Sequence, residues 1–216
     1  MTVNVLGISG SPRRHGNTET LLDSFLEGAK AAGASVEKVV LKEIDYSPCR
    51  GCNACHKTGD CIVKDDAPDL YDKILAADCV AVASPIYSMG ITAQLKGFID
   101  RAQYLWARKF ILKTLEFSED HIKRHKGVFI STAGQNLSNV FDGAFPAITA
   151  LFHGTGYDYS LNIVANNMDT YNGIKNHPTA LKKAYEQGKQ VVSDLEKVIA
   201  NIEKTGVPEE KKYQRI

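Results

Sequence analysis

The sequence predicts an α/β protein in which a five-stranded parallel sheet lies between two layers of helices. Short apolar segments alternate with segments of helical periodicity along the chain. Most of the short segments are apolar at nearly every position, which is typical of parallel strands buried on both faces. Three of them end in serine, threonine and glycine, and ligands of open α/β sheets bind at the carboxyl ends of the strands. We therefore expect a three-layer sandwich with strand order 2-1-3-4-5 and a ligand site where strands 1 and 3 end.

The predicted elements follow one another in a regular order. The first strand begins near Val3, and a helix follows from about Asn17. Asp65 and Asp66 precede Pro68 and are predicted to cap the helix that begins there. Apolar and periodic segments predict the remaining strands at 35–41, 79–84, 127–134 and 157–165, and the remaining helices at 68–77, 92–106, 141–152 and 178–204. Residues 107–126 show no clear period and are not assigned to an element.

Length and charge set the first bounds on function. The chain has 216 residues, 44% of them hydrophobic, and a formal net charge of +1. We expect one domain over residues 1–205, with a cysteine-rich loop at 46–66 and a tail at 206–216. A net charge near zero argues against nucleic acid or an anionic membrane as the main partner. Since no leader pattern or membrane-length apolar run is present, we expect a cytoplasmic protein.

The segment 4–18, NVLGISGSPRRHGNT, is predicted to form a strand, an anion-binding loop and the start of a helix. Backbone N–H groups at a helix N-terminus lack intrahelical partners and attract phosphate. The loop has no Walker lysine and its glycines do not have dinucleotide-binding spacing, so we expect a terminal monophosphate. A plain Gly/Ser connector with an ordinary N-cap is the alternative.

Two further strand ends carry small polar residues. The segment 84–90 reads SPIYSMG, and the segment 131–136 begins Ser-Thr-Ala-Gly. Both loops are expected to reach the same sheet edge as the anion loop. Tyr87 can cover an aromatic ring of a ligand, or it can be a core aromatic beside a strand end.

Four cysteines are crowded between residues 49 and 61 with the spacing C-x2-C-x2-C-x5-C. Similar C-x2-C-x2-C runs bind iron–sulfur clusters in bacterial ferredoxins. Zinc is a second interpretation, although zinc sites usually separate two C-x2-C pairs by a longer insert. A thiol-disulfide or metal-free loop is the third. Cys79 stands alone in an apolar strand and is predicted to be a packed small residue.

These motifs together resemble those of a known family. GISGSPR at 7–13, GNT at 16–18, SPIY at 84–87 and QLKGFIDR at 94–101 resemble the NAD(P)H-dependent FMN reductases and related flavodoxin-like proteins. The cysteine spacing after strand 2 resembles that of the iron–sulfur flavoproteins, which bind FMN and a 4Fe–4S cluster. The resemblance implies FMN phosphate binding by Ser9, Ser11, Arg13, Asn17 and Thr18, an isoalloxazine ring along Pro85, Ile86, Tyr87, Ser88, Met89 and Gly90, a third wall at Thr132, Ala133 and Gly134, and cluster ligands Cys49, Cys52, Cys55 and Cys61.

The same resemblance implies a function. An FMN-dependent oxidoreductase would pass electrons from NAD(P)H or ferredoxin through FMN to a small acceptor such as a quinone, a nitro compound, a flavin or oxygen. No catalytic side chain is required, because the cofactor carries the difficult chemistry. Related proteins are dimers or tetramers, so a homodimer or homotetramer is expected. The alternative is a non-enzymatic flavin electron carrier or redox sensor.

Overall fold

The structure, a computed structural model, describes residues 2–205, so the predicted tail at 206–216 lies outside the described residues. Its sheet contains five parallel strands in the order β2-β1-β3-β4-β5. This order confirms the predicted flavodoxin-like arrangement and places the switch point between β1 and β3. The strands are β1 (Asn4–Ser9), β2 (Ser35–Val40), β3 (Cys79–Pro85), β4 (Lys126–Thr132) and β5 (Asp158–Ala165).

Helices connect the strands and cover the sheet. The α-helices are α1 (Asn17–Ala31), α2 (Cys55–Thr58), α3 (Ala67–Ala76), α4 (Ala93–Asp100), α5 (Gln103–Trp106), α6 (Glu119–Arg124), α7 (Phe145–Thr155), α8 (Met168–Tyr171) and α9 (Ala180–Thr205). Short 3-10 turns lie at Leu41–Glu43 and Ile174–Asn176, and a π-helical turn lies at Ala107–Ile111.

Two apolar layers cover the two faces of the sheet. On one face, side chains of α1 and α9, including Phe25 and Leu195, pack against strand residues such as Ala81. On the other face, α3, α4, α5 and α7 form a second cluster with the opposite side chains of the strands. The α1–α9 contact is close, since a Cβ at Gly28 would lie 1.9 Å from the Tyr185 carbonyl oxygen.

The helix predicted over residues 92–106 is interrupted, and this part of the prediction was wrong. α4 ends at Asp100 and α5 begins at Gln103. The carbonyl oxygen of Phe98 accepts the buried hydroxyl of Tyr71 at 2.8 Å and the N–H of Arg101 at 3.0 Å. These bonds replace the regular i to i−4 pattern at this point, so the helix tightens and restarts.

The helix predicted over 141–152 also differs, because α7 begins at Phe145 and ends at Thr155. Pro146 lies in its first turn, where the missing N–H of proline has no cost. Residues 138–144 form turns instead. The unassigned segment 107–126 contains the π-helical turn and α6, whose N-cap residue Ser118 accepts a hydrogen bond from His121 N.

Candidate functional site

The loop between β1 and α1 leads into a helix N-terminus without a side-chain cap. Gly16 is the N-cap residue. The first bond of the helix runs from Thr20 N to Gly16 O, at 2.9 Å. The backbone N–H groups of Asn17, Thr18 and Glu19 therefore precede the intrahelical bonds and lie at the positive end of the helix dipole. This end of α1 is suited to an anion.

A buried serine hydroxyl lies at the same place. Ser9 ends β1 and is completely buried, and its Oγ has no hydrogen-bond partner among the described residues. An unpartnered buried hydroxyl costs about 1–3 kcal/mol, so the position favours a bound polar group. Ser11 is also buried, and its Oγ bonds to both the N–H and the carbonyl of Arg13. The Arg13 side chain is exposed to solvent.

The buried carboxylate of Glu19 organises this loop. It accepts hydrogen bonds from His15 N at 2.7 Å and Lys38 Nζ at 3.1 Å, and it forms an ion pair with Arg14 at 3.0 Å. Burial alone would raise the pKa of Glu19, but the bonds from His15, Lys38 and Arg14 outweigh burial and lower it. The sequence reasoning missed this network, because only the acidic residue in the first helical turn is visible locally.

Thr132 joins the three predicted loops. Its Oγ1 lies 2.6 Å from Thr18 Oγ1, and its carbonyl oxygen accepts from Ile86 N at 3.0 Å. The first loop is tied to β3 as well, since Gly10 N donates to Ala83 O at 2.7 Å. The structure thus brings the carboxyl ends of β1, β3 and β4 together.

Three predicted site residues use part of their hydrogen-bonding capacity inside the protein. The Oδ1 of Asn17 accepts from Ile174 N at 3.0 Å. Ala133 bonds through both its N–H and its carbonyl to the segment that ends β5 and begins α8. The carbonyl oxygen of Gly134 accepts from Asp169 N at 3.1 Å. These three residues therefore have fewer groups to offer a ligand than the sequence alone implies.

The loop after β3 closes into a tight two-residue turn. Tyr87 N donates to Gly90 O at 2.9 Å, and Gly90 N donates to Tyr87 O at 3.0 Å. Ser88 and Met89 between them have φ angles of 49° and 65°, the left-handed values of a type I′ turn. The turn does not use the N–H groups of Ser88 and Met89, and the side chains of Tyr87 and Met89 are 42% and 41% exposed. These two N–H groups and these two side chains are therefore available to a ligand.

Gly143, in the segment before α7, packs directly against this turn. A Cβ at Gly143 would lie 2.1 Å from the carbonyl oxygen of Met89. Only glycine allows the segment before α7 to approach the turn this closely. The sequence reasoning missed Gly143, because nothing in its local sequence indicates a distant contact.

The four clustered cysteines border a single pocket. The pocket measures about 400 Å³ including the space open to solvent, and its lining includes Cys49, Cys52, Cys55, Cys61, Arg50, Arg101, Gln103 and Tyr104. All of these thiols are free. Burial raises the pKa of the Cys55 thiol, and the neighbouring cysteines raise it further. Within residues 2–205, no three His, Cys, Asp or Glu side chains converge on one metal ion.

The fifth cysteine, Cys79, lies apart from this pocket. It is completely buried in β3, and burial raises the pKa of its thiol to about 12. This confirms the prediction of a packed small residue.

α4 connects the cysteine-rich loop to the loops at the sheet edge. Its N-cap residue Thr92 donates through Oγ1 to Gly10 O at 2.7 Å. Two residues later, the carbonyl oxygen of Gln94 accepts from Tyr46 OH at 2.6 Å. The sequence analysis placed Thr92 at the start of this helix but did not assign it a capping role, although a threonine directly before a periodic apolar segment is a recognised N-cap signal. One helix therefore contacts both candidate sites.

Comparison with known proteins gives a consistent assignment. The chain matches the family model of the NADPH-dependent FMN reductases over residues 3–170. It is 38% identical over 111 residues to an iron–sulfur flavoprotein of Methanosarcina thermophila, which covers 51% of this chain and 58% of the relative. It is 28% identical over 201 residues to an iron–sulfur flavoprotein of Archaeoglobus fulgidus, which covers 90% of this chain and 98% of the relative. In the matches at 38–39% identity, the chain spans about half the length of the relatives.

Among solved structures, an NAD(P)H:quinone oxidoreductase from Methanothermobacter marburgensis has a TM-score of 0.63 at 15% identity, over 91% of this chain and 97% of that chain. This likeness shows the shared fold. Because the family model covers most of the sequence and the three strand-end loops meet at the switch point, the chain belongs to the NADPH-dependent FMN reductase family, a family of flavin oxidoreductases.

Proposed function

We propose that this protein is an FMN-dependent oxidoreductase in which a single domain, residues 1–205, carries both a flavin and a 4Fe–4S cluster. The observation that carries the proposal is the meeting of three strand-end loops at Thr132, beside the open N-terminus of α1 and the unpartnered Ser9 hydroxyl. FMN has a terminal phosphate and a flat, mostly apolar ring. The described residues fit FMN because the N-terminus of α1, which is suited to an anion, and the exposed turn at residues 87–90 lie at the same sheet edge.

The phosphate would bind at Ser9, Ser11, Arg13, Asn17 and Thr18. The N–H groups of the first helical turn, which precede the intrahelical bonds, would donate to its oxygens. Ser9 Oγ would gain the partner that it lacks among the described residues. Arg13, an exposed residue, would offset part of the negative charge with its guanidinium group. The side-chain oxygen of Asn17 already accepts a bond from Ile174 N, so Asn17 would contribute its N–H groups.

The isoalloxazine ring would lie along residues 85–90, with Thr132, Ala133 and Gly134 as the third wall. The unused N–H groups of Ser88 and Met89 would donate to the polar edge of the ring, and Tyr87 would cover part of its surface. Ala133 uses both backbone groups elsewhere, so it would contribute van der Waals contact. Bound FMN supplies hydride and one-electron chemistry.

NAD(P)H is the proposed electron donor, with ferredoxin as a second source. The acceptor would be a small molecule such as a quinone, a nitro compound, a free flavin or oxygen. The family description supports NADPH and a flavin, and the name of the quinone oxidoreductase with this fold supports NAD(P)H and a quinone. The exposed side chains of Tyr87 and Met89 would border the acceptor.

The cysteine pocket fits a 4Fe–4S cluster in its donor set. Four free thiols border one pocket, three of them from a C-x2-C-x2-C run, beside a buried guanidinium. A cluster with four thiolate ligands carries net negative charge, which a nearby cation stabilises. Two relatives described above are named iron–sulfur flavoproteins. Zinc and a metal-free thiol loop are the alternatives that metal analysis separates.

We also propose a cytoplasmic homodimer or homotetramer. Leu137, Tyr87 and Met89 are 43%, 42% and 41% exposed on the loops that border the ring site, so a second copy would complete the pocket. In the part of the chain that the structure describes, no helix is long and apolar enough to cross a bilayer.

Anaerobic purification followed by FMN titration tests the proposal. We expect stoichiometric FMN, together with iron and acid-labile sulfide in matching amounts and no zinc. A protein with no flavin absorbance and no stabilisation by added FMN would refute flavin binding. Steady-state NAD(P)H oxidation with a quinone then tests the activity, since robust turnover excludes a pure carrier or redox sensor.

A further inference from the structure

Arg101 is a buried cation directly after α4. It is 2% exposed, and its guanidinium forms a bidentate pair with Asp65 at 2.5 Å and 2.9 Å. Nη1 also donates to the carbonyl oxygen of Ser47 at 2.8 Å. Two buried charges are tolerated only when they are paired and hydrogen-bonded in this way.

Asp65 extends this pair to both ends of the cysteine-rich loop. Its Oδ2 accepts from Ser47 N at 3.1 Å, and its Oδ1 accepts from Ala67 N at 3.2 Å. Ser47 precedes the first cysteine of the loop, and Ala67 follows the last. The Arg101–Asp65 pair therefore closes the loop against the end of α4.

The same guanidinium borders the cysteine pocket. The Nε of Arg101 has no hydrogen-bond partner among the described residues. Burial alone would lower the pKa of Arg101, but its hydrogen bond to Asp65 and its closeness to the Cys61 sulfur raise it. Arg50 also lines the pocket, but it is exposed. Arg101 is thus the buried cation of this pocket within residues 2–205, and it stays charged at any working pH.

We propose that Arg101 is a positioning residue for the cysteine pocket, which holds the loop closed through Asp65 and sets a fixed positive charge beside Cys61. The charge would favour the reduced form of a cluster, because reduction adds negative charge and the potential depends on nearby charges and hydrogen bonds. This second effect rests on the cluster proposed above. Loop closure does not, since it involves only groups of the chain itself.

The midpoint potential of the reconstituted cluster tests the charge effect. Arg101→Gln should shift the potential to a lower value, and Arg101→Lys should keep it near that of the wild type. Lys96→Gln is the matched control, because Lys96 lies on α4 but is exposed and pairs with Asp100. Its potential should not change. An Arg101→Gln variant with the wild-type potential would overturn the charge role.

Hydrogen exchange of the metal-free protein tests loop closure. In Arg101→Gln the N–H groups of Ser47 and Ala67 should exchange faster than in the wild type, and in Lys96→Gln they should not. Unchanged exchange in Arg101→Gln would overturn the closing role.

If Arg101→Gln retains no cluster, its midpoint potential cannot be measured, and Arg101→Lys then tests the charge role. Failure of this charged variant to retain a cluster would also contradict the charge role. A wild-type protein without a cluster would refute the proposed cofactor, while the exchange result would still decide loop closure.

Discussion

At the scale of single residues, Ser9 allows ligand binding to be separated from folding. Its hydroxyl has no partner among the described residues, so Ser9→Ala removes a group that the flavin-free protein does not use. We expect FMN binding to weaken about tenfold to a hundredfold, the effect of losing one hydrogen bond to a charged group. Flavin-free protein should keep or gain stability. Fluorescence titration with FMN and thermal unfolding measure the two effects.

Ser24→Ala is the matched control for this substitution. Ser24 Oγ donates to Leu181 O at 2.8 Å, between α1 and α9 and away from the anion loop. Its loss should lower the free energy of unfolding by about 1 kcal/mol and leave the Kd for FMN unchanged. A Ser9→Ala variant with the wild-type Kd would contradict the phosphate site.

Glu19 makes stability depend on pH. Its pKa is lower in the folded protein than the ordinary value of 4.5, so the ionised carboxylate stabilises the fold above that value. This stabilisation is lost as the pH falls through the folded pKa. Glu19→Gln should lower the free energy of unfolding by about 1–3 kcal/mol at neutral pH, and the gap to wild type should narrow below about pH 4.5. Urea unfolding of both proteins between neutral pH and pH values below 4.5 measures this difference in the free energy of unfolding. A difference that does not change with pH would contradict the ion-pair role.

At the scale of elements, the turn formed by residues 87–90 depends on its neighbour. A Cβ at Gly143 would lie 2.1 Å from the Met89 carbonyl oxygen, so Gly143→Ala must displace either the turn or the segment before α7. We expect weaker FMN binding, with an affinity loss of at least about tenfold, because the turn would no longer meet the ring. Titration with FMN measures this change.

Gly154→Ala is the control for the glycine substitution. Gly154 lies in α7, and a Cβ there meets no atom within 4 Å. Alanine in a helix interior is favoured over glycine by about 0.5–1 kcal/mol. This variant should be more stable than wild type, with unchanged FMN affinity. Equal affinities for both glycine variants would show that the turn does not contact the flavin.

The elements also show how far sequence reasoning reached. The strands and their order could be predicted, because buried strands are continuous apolar runs and few topologies connect them. The break after Asp100 could not, since its cause is the hydroxyl of Tyr71 on α3. Asp65 and Asp66 were both predicted to cap α3, but Asp66 makes no side-chain capping bond and accepts from Asp45 N instead. Asp65 does accept from Ala67 N, but it also pairs with Arg101, 36 residues away.

In the candidate site, too, some features could be predicted from the sequence and others could not. Loops rich in serine, threonine and glycine could be located from local composition, because such residues mark strand ends and anion loops. The Glu19 network could not, since Lys38 reaches the carboxylate from β2. The left-handed backbone φ angles of Ser88 and Met89 could not be predicted either, because neither residue type favours them.

At the scale of the whole molecule, α4 connects the two candidate sites, and Thr92→Ala tests this connection. The Thr92 hydroxyl caps α4 and bonds to Gly10 O in the anion loop, while Gln94 on the same helix bonds to Tyr46 at the start of the cysteine-rich loop. Loss of the cap should lower the free energy of unfolding by about 1–2 kcal/mol. It should also weaken FMN binding and speed amide exchange in the loop at 46–66.

A second N-cap shows whether these effects come from α4 or from lower stability alone. Ser118 caps α6 by accepting from His121 N at 3.1 Å, and Ser118→Ala should lower stability to a similar degree. FMN affinity and exchange in the cysteine-rich loop should then stay at wild-type values. If both variants change the two sites equally, the sites respond to global stability. If only Thr92→Ala changes them, α4 is the element through which flavin binding and the cysteine pocket are coupled.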